Sequence, residues 1–229
     1  MDQKTRRVVI PSQCLGDTNS FKAGRGTFTA SGMIYSEHLG ILNQQGNLIQ
    51  VMPLKGKYKP LNGDIIIGYI QEAASSYWLV DINASYLAYL HVDEVPWEVE
   101  FGDTAKYLNA GDAILSKVLA VDLIRDSRRI EITLNDRNLY KIKGGNIIEV
   151  DPSIVPRIIG KKGSMIANIK KYSRCRIFVG QNGRIWIDGP VDGIDLVLLA
   201  INKIESEAIS YGLTDRVEEL LRQHAKDVR

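Results

Sequence analysis

The stretch Ile158-Ile159-Gly160-Lys161-Lys162-Gly163 decides which fold we predict for this chain. It lies inside residues 152–187, a window that holds eight Lys or Arg and no Asp or Glu. Glycine allows a main chain to approach a phosphate closely, and the lysines supply positive charge beside it. A helix that begins after the second glycine would add the positive end of its dipole. The pattern therefore predicts a turn that binds a nucleic-acid backbone.

The segments around this turn follow the order β-α-α-β-β-α. Hydrophobic periodicity and the turn signal Gln181-Asn182-Gly183 place the boundaries. The predicted elements are a strand at Asn146–Val150, a helix at Val155–Ile159, a helix from a Ser164 cap to about Tyr172, strands at Arg176–Val179 and Ile185–Asp188, and a helix from Val191 to about Ser210. In the second helix we expect Ile166 and Ile169 to point inward and Lys170 and Lys171 outward.

This order and motif resemble the KH domain, an α+β nucleic-acid-binding module. The resemblance implies that single-stranded RNA runs along a groove beside the turn, with Ile159 and Ile166 touching bases. The RNA-binding residues predicted here are Arg157, Ile159, Gly160, Lys161, Lys162, Gly163, Ser164, Lys170, Lys171, Arg174 and Arg176. The alternative is a plain helix–helix turn with surface lysines. A P-loop is excluded, because Val155 stands where its first glycine is required and Lys162 where Ser or Thr is required.

The pattern of residues 61–143 predicts a small closed barrel of the OB type, and the strand spacing alone also fits another β-barrel. Its five expected strands are Asp64–Ile70, Tyr77–Ile82, Tyr86–Val92, Asp112–Val121 and Arg129–Leu134. The region resembles the S-one domain, an RNA-binding repeat, in Gly63-Asp64, Ala88–Val92, Gly111-Asp112, Val121-Asp122 and Arg128–Ile132. The resemblance implies an RNA-facing surface with His91, Arg128 and Arg129, and with Trp78 or Tyr77 as a stacking aromatic. We expect Asp122 to orient Arg129 or to cap a turn, and Tyr69 to serve either in stacking or in the core.

The remaining segments complete a multidomain chain. Residues 1–60 predict a β-rich N-terminal module with a hairpin at Gln45-Gly46-Asn47. The KH domain is expected over 146–212, and a charged C-terminal helix over 213–229, capped by Thr214. We predict that Gly144-Gly145 is a hinge between the barrel and the KH domain.

The composition and charge of the chain restrict the classes of function that it can have. The chain has 229 residues and a net charge of +2, but residues 1–60 carry eight bases and three acids, whereas residues 61–145 carry eight bases and thirteen acids. No apolar run is long enough to span a bilayer, and no leader is visible, so we expect a cytoplasmic protein. Two distant cysteines offer no disulfide or metal site, and no catalytic set is suggested by spacing. We expect no cofactor and no enzymatic activity.

The order of the three modules resembles the S-one/KH RNA-binding cap subunit of the archaeal exosome. The segment Val9-Ile10-Pro11 and the turn Gly24–Thr27 are similar to the opening of that family. The zinc-ribbon cap subunit is excluded, since the chain has no Cys-x-x-Cys. The resemblance implies three copies on a hexameric ring of phosphorolytic ribonuclease subunits, docked through the N-terminal module and directing RNA 3′ ends into the pore. The alternative is a free-standing transcription or translation factor that binds RNA.

Overall fold

The computed structural model describes residues 7–122, 129–207, 210 and 212–224. Its contacts divide the chain into two compact units, with the boundary between Gly56 and Lys57. The predicted boundary at residue 60 therefore moves towards the N-terminus. Tyr58 explains the shift, because its ring is buried in the barrel core and its hydroxyl donates to Asp64 Oδ2 at 2.7 Å.

The first unit is built from short strands in two small sheets, with the orders β1-β6-β7-β3 and β2-β5-β4. The strands are β1 Val8–Val9, β2 Cys14–Asp17, β3 Lys22–Ala23, β4 Thr27–Ala30, β5 Met33–Ser36, β6 Gly40–Gln45 and β7 Leu48–Pro53. The predicted hairpin joins β6 to β7, with Gln45 opposite Leu48. The buried side chains of Val9, Ile34 and Ile49 form its interior.

The second unit begins with a closed five-stranded barrel, which confirms the predicted OB-type architecture. Its strands are β8 Ile65–Ala73, β9 Tyr77–Asp81, β10 Ala88–His91, β11 Ala113–Asp122 and β12 Arg129–Thr133. They pair in the order β12-β10-β9-β8-β11, and β11 also pairs with β12, so the sheet closes on itself. A further strand, β13 Tyr140–Lys141, pairs with β11 and was not predicted. It is too short to show a hydrophobic period.

The KH domain follows the barrel in the predicted order. Its elements are β14 Asn146–Glu149, α1 Val155–Ile159, α2 Ser164–Ser173, β15 Arg176–Val179, β16 Arg184–Asp188 and α3 Val191–Ser206. The strands form a three-stranded sheet with the order β14-β16-β15, so β16 lies in the middle. Helix α3 ends four residues before the predicted end at Ser210. Its buried stripe, Val197, Ile201 and Ile204, faces the KH core.

Helix α4, Leu213–His224, packs on the same core. Leu213, Val217 and Leu221 are buried among residues of α2 and α3. The predicted charged tail is therefore part of the KH domain over its described length. Thr214 is the second residue of the helix, so the prediction that it caps the helix is wrong.

Strand β16 joins the KH domain to the barrel, because it is buried on both faces. Ile185 and Ile187 belong to the KH core, whereas Trp186 between them belongs to the barrel core. The Trp186 indole also donates from Nε1 to the Gly144 carbonyl at 2.9 Å. A Cβ on Gly145 would lie 2.5 Å from the same Nε1. The predicted hinge at this glycine pair is therefore wrong, since Gly145 packs tightly against β16 and the Gly144 carbonyl is bonded to Trp186.

The turn between β15 and β16 inserts Asn182 into the barrel. The side chain is fully buried, and its Nδ2 donates to the carbonyls of Ile67 at 2.7 Å and Ile82 at 2.9 Å. Its Oδ1 accepts from the Ile67 N–H at 3.3 Å. One side chain thus satisfies backbone groups of two barrel positions, and this fixes the KH sheet against the barrel wall.

Arg184 makes a second connection from the same hairpin. Its side chain is 4% exposed, and it reaches Asp81 in the barrel through Nη2 to Oδ2 at 2.5 Å and Nη1 to the carbonyl at 2.6 Å. Nε donates to Glu149 Oε1 at 2.8 Å, and the guanidinium lies 4.7 Å from the centre of the Tyr69 ring. Four of the five guanidinium N–H groups thus bond within the protein, and the burial of the side chain keeps Arg184 away from RNA.

Candidate nucleic-acid interface

The elbow, which we define as residues Gly160–Gly163, joins α1 to α2 through unusual backbone angles. Gly160 has φ 75° and ψ 174°, Lys162 has φ 53° and ψ 31°, and Gly163 has φ 78° and ψ 11°. The Gly163 N–H donates to the Gly160 carbonyl at 3.2 Å and closes the turn. Positive φ is strained for residues with a Cβ, which explains why glycine occupies two of these three positions.

The two glycines have different neighbours. A Cβ on Gly160 would lie 2.6 Å from Met165 Cβ and 2.7 Å from Met165 N, so the elbow packs directly on the first turn of α2. A Cβ on Gly163 would meet nothing within 4 Å. Gly160 therefore shapes the elbow, whereas Gly163 leaves its outer surface open to a ligand.

Both elbow lysines are available for a ligand. Lys161 and Lys162 are exposed, and neither makes an ion pair or side-chain hydrogen bond to any described residue. They stand at the N-terminal end of the ten-residue helix α2, where the helix dipole is positive. Two unpaired cations and a helix N-terminus with an open approach are suited to binding a phosphate.

Ser164 does not cap α2 as predicted. The cap position is Gly163, whose conformation is left-handed, and Ser164 is the first helical residue with no capping hydrogen bond from its side chain. Its exposed hydroxyl still lies at the elbow. Ile159 and Ile166 are half-buried against the KH core on either side of the elbow, so each retains a partly exposed apolar surface.

The other predicted bases are not gathered around the elbow. Lys170 and Lys171 lie in the last turn of α2, and Arg174 follows its end. A helix of this length spans about 15 Å, more than the screening distance of about 8 Å at physiological salt. These exposed bases therefore form a separate positive group at the far end of α2. Lys171 Nζ lies 5.4 Å from the centre of the Tyr172 ring.

Arg157 and Arg176 are already engaged. Arg157 on α1 is half-buried and has a partner. Arg176 at the start of β15 pairs with Asp188, and its guanidinium lies 5.6 Å from the Trp186 ring centre. Of the eight bases in the window, Arg184 is the one that the barrel contact buries.

A second candidate surface lies on the barrel. Tyr77 and Tyr89 have ring centres 5.4 Å apart, and the Arg129 guanidinium lies 5.0 Å from the Tyr89 ring centre. His91 stands opposite Tyr77 in the pairing of β9 with β10. Its Nδ1 accepts from the Asp93 N–H at 3.3 Å. The two tyrosine rings and the guanidinium form a face suited to stacking unpaired bases, with the Glu131 carboxylate 3.3 Å from Arg129 Nε and the Asp93 carboxylate 3.2 Å from His91 Nδ1.

Trp78 is not part of that face, so the prediction of an exposed stacking indole there is wrong. Its side chain is fully buried in the barrel core, and Nε1 donates to the Leu108 carbonyl at 3.1 Å. Alternation along β9 turns Trp78 and Val80 inward and Tyr77 outward. Tyr69 is half-buried beneath Arg184.

Tyr89 is the residue that our sequence analysis missed. Burial alternates along Ala88-Tyr89-Leu90-His91, so Tyr89 lies on the same face as His91. The alternation of apolar and polar residues that indicates this is visible in the sequence. Asp122 lies opposite Arg129 in the strand pairing, but the carboxylate that pairs with Arg129 is that of Glu131, with Oε1 3.3 Å from Nε. Arg128, also predicted to contact RNA, lies outside the described residues.

The described residues contain no group of His, Cys, Asp or Glu arranged to hold a metal ion. Within the same ranges, no helix combines the length and apolar character that crossing a bilayer requires.

Comparison with known proteins agrees with this architecture. The model of the KH domain family matches residues 145–193. The Exosome complex component Rrp4 of Methanosarcina barkeri is 43% identical over 217 residues, covering 95% of this chain and 82% of the relative. The protein of the same name from Thermoplasma acidophilum is 43% identical over 220 residues, covering 95% and 91%.

A solved structure is also similar. The crystal structure of a "putative exosome complex RNA-binding protein" superposes with a TM-score of 0.68 at 35% identity, covering 76% of this chain and all of that chain. Fold and site thus define a multidomain protein in which an OB-type barrel is joined to a KH domain. The chain belongs to the Rrp4 family of exosome complex components. This confirms the family predicted from the sequence.

Proposed function

We propose that this chain is a non-catalytic RNA-binding subunit of an exosome in the cytoplasm. It captures single-stranded RNA and directs the 3′ end into a ring of six phosphorolytic ribonuclease subunits, with three copies on each ring. Membership of the Rrp4 family supports the assignment to an exosome. The observation that carries RNA capture is the elbow, where Lys161 and Lys162 are exposed and lack ion pairs among the described residues.

The elbow would hold the sugar–phosphate backbone instead of reading a sequence. Its bases are lysines, which act as point charges, and phosphate contacts carry no base identity. The face of Tyr77 and Tyr89 would add stacking, which tolerates any base. Because the Asn182 and Arg184 contacts join the two modules, binding at one site raises the effective concentration of the strand at the other.

Size-exclusion chromatography of native extract, with detection of this chain, tests the assembly. We expect elution with the ring subunits, far above the 25.6 kDa of the free chain. Elution as a monomer would contradict the proposal and favour a free-standing RNA-binding factor.

Incubation of the pure chain with RNA, phosphate and Mg²⁺ tests the non-catalytic role. We expect the RNA to stay at full length, and shortening of the RNA would contradict this role.

A further inference from the structure

One ordered surface of the barrel has the opposite charge to an RNA site. The loop from β10 to β11 carries Asp93, Glu98 and Glu100, and an open cavity of about 460 Å³ lies beneath it. The cavity is lined by Val92, Val95, Val99, Trp97 and the carboxylates Asp93 and Glu98, with no Lys or Arg in its wall. Its volume is within the usual range of about 300–1,000 Å³ for binding pockets.

Trp97 in the cavity wall is stacked on a second aromatic side chain, and a third is exposed on the same loop. Trp97 and Tyr107 stack with ring centres 5.9 Å apart and planes 10° from parallel. Phe101 is 84% exposed at the tip of the loop. We call Asp93, Trp97, Glu98, Glu100, Phe101 and Tyr107 the acidic-aromatic surface.

The loop holds Phe101 outward through specific contacts. The Gly102 N–H donates to the Ser75 carbonyl at 2.9 Å, and Thr104 Oγ1 donates to the Ala74 carbonyl at 2.5 Å. The Tyr107 hydroxyl donates to the Glu98 carbonyl at 2.8 Å. These bonds anchor the loop close to Phe101, and an exposed large apolar side chain on an anchored loop is typical of an interface residue.

Three groups on this surface lack partners. Neither Glu98 nor Glu100 has a cation within ion-pair distance in the described ranges, and the nearby Lys106 already pairs with Asp103 at 2.6 Å. The Trp97 Nε1 atom is enclosed, yet it has no hydrogen-bond acceptor among the described residues. Both carboxylates, unpaired in these ranges, can therefore accept hydrogen bonds from a cationic ligand.

We propose that the acidic-aromatic surface binds an arginine-containing segment of another protein. A guanidinium satisfies the carboxylates and stacks on the aromatic rings. RNA is disfavoured because its phosphates would approach Asp93 and Glu98, and the cavity wall holds no Lys or Arg. This site is independent of the elbow and does not rest on the proposed function.

Titration of the full-length chain with the peptide acetyl-Gly-Arg-Leu-Arg-Gly-amide, followed by amide and indole NMR, tests the proposal. The chain has three tryptophans, and Trp97→Phe assigns the Trp97 indole signal. We expect that signal to move on binding, and the same peptide with citrulline in place of arginine to leave it in position. No movement up to millimolar arginine peptide overturns the proposal.

Variants then separate this site from general charge attraction. We expect the peptide dissociation constant to rise at least tenfold in Glu98→Gln/Glu100→Gln and about fivefold in Phe101→Ala. The matched pair Asp195→Asn/Glu205→Gln, which removes two exposed carboxylates from α3, should change it less than twofold. An equal loss in the matched pair overturns the proposal.

Two other results would assign the surface to a different occupant. If Phe101→Ala or Glu98→Gln/Glu100→Gln weakens oligoadenylate binding more than twofold, the surface binds RNA. If the native chain self-associates in analytical ultracentrifugation and Phe101→Ala abolishes this, the occupant is a second copy. Each result overturns the arginine-segment proposal without bearing on the elbow.

Discussion

At the scale of the residue, Gly160 and Gly163 occupy matching places in the motif but have different surroundings. Gly160 combines φ 75° with close packing on Met165, whereas Gly163 has φ 78° and open space. From the motif alone, both glycines were predicted to let the main chain approach a phosphate closely. It could not show which glycine packs on α2, because that depends on how α2 returns towards α1.

Alanine substitutions at the two glycines should therefore lower the free energy of unfolding by different amounts. We expect Gly160→Ala to lower the free energy of unfolding by about 3 kcal/mol, from backbone strain and the clash with Met165. Gly163→Ala should cost about 1 kcal/mol, because only the left-handed conformation is strained. Urea denaturation of both variants measures the difference, and equal losses would contradict the packing described here.

The two cysteines provide a second test at this scale. Cys14 is exposed, whereas Cys175 is buried, and this burial raises the pKa of the Cys175 thiol. A raised pKa leaves less thiolate near neutral pH, and the thiolate is the reactive form. With an aromatic disulfide reagent at pH 7.5, we expect one thiol to react within minutes and the second only on unfolding. Two thiols that react at the same rate in the folded chain would contradict this assignment.

At the scale of the element, alternation and turn signals predicted most of the strands. In β9 and β10 every second side chain is buried, and such a period is visible in sequence. The same rule, applied fully, would have placed Trp78 inside and Tyr89 outside. The packing of α4 and the pairing of β13 were missed because both depend on contacts distant in the chain.

The β15–β16 hairpin shows the limit of local patterns. Gln181-Asn182-Gly183 predicted a turn, yet Asn182 bonds to Ile67, 115 residues away. In the sequence, Arg184 is one of eight bases in a positively charged window. In the structure it pairs with Asp81, 103 residues away, and is buried where the KH sheet meets the barrel. Such pairings depend on how the barrel meets the KH sheet, and a single sequence does not show this.

Removing the Asn182 side chain should loosen the joint between barrel and KH domain. Asn182→Ala leaves the carbonyls of Ile67 and Ile82 without this donor, so we expect a loss of about 3 kcal/mol in unfolding free energy. The matched control Gln181→Ala, in the same turn, should cost less than about 0.5 kcal/mol. Hydrogen exchange should speed up at the Ile67 amide, which donates to Asn182. If both variants unfold at the same urea concentration, the Asn182 contacts do not stabilise the joint.

At the scale of the whole molecule, the sequence predicted the order of the modules. It did not predict how the barrel and the KH domain pack against each other. The barrel and KH domain form one compact unit, in which β16 contributes to both cores. Sequence composition suggested one continuous basic site in the KH domain. In the structure these bases lie in three separate places: the elbow, the end of α2 and the buried Arg184. Residues that are close in the sequence are separated by the fold.

The affinity of the pure chain for oligoadenylate, measured by fluorescence anisotropy from 50 to 300 mM salt, tests the role of the elbow most directly. We expect Lys161→Asp/Lys162→Asp to weaken binding at least tenfold at the lowest salt. The log–log salt slope should fall by about 1.4, the value for two lost single-strand phosphate contacts. The control Lys55→Asp/Lys57→Asp, which reverses two exposed lysines elsewhere, should stay within twofold of the native chain. If the elbow variant also binds within twofold of the native chain with an unchanged slope, the elbow does not hold the RNA backbone.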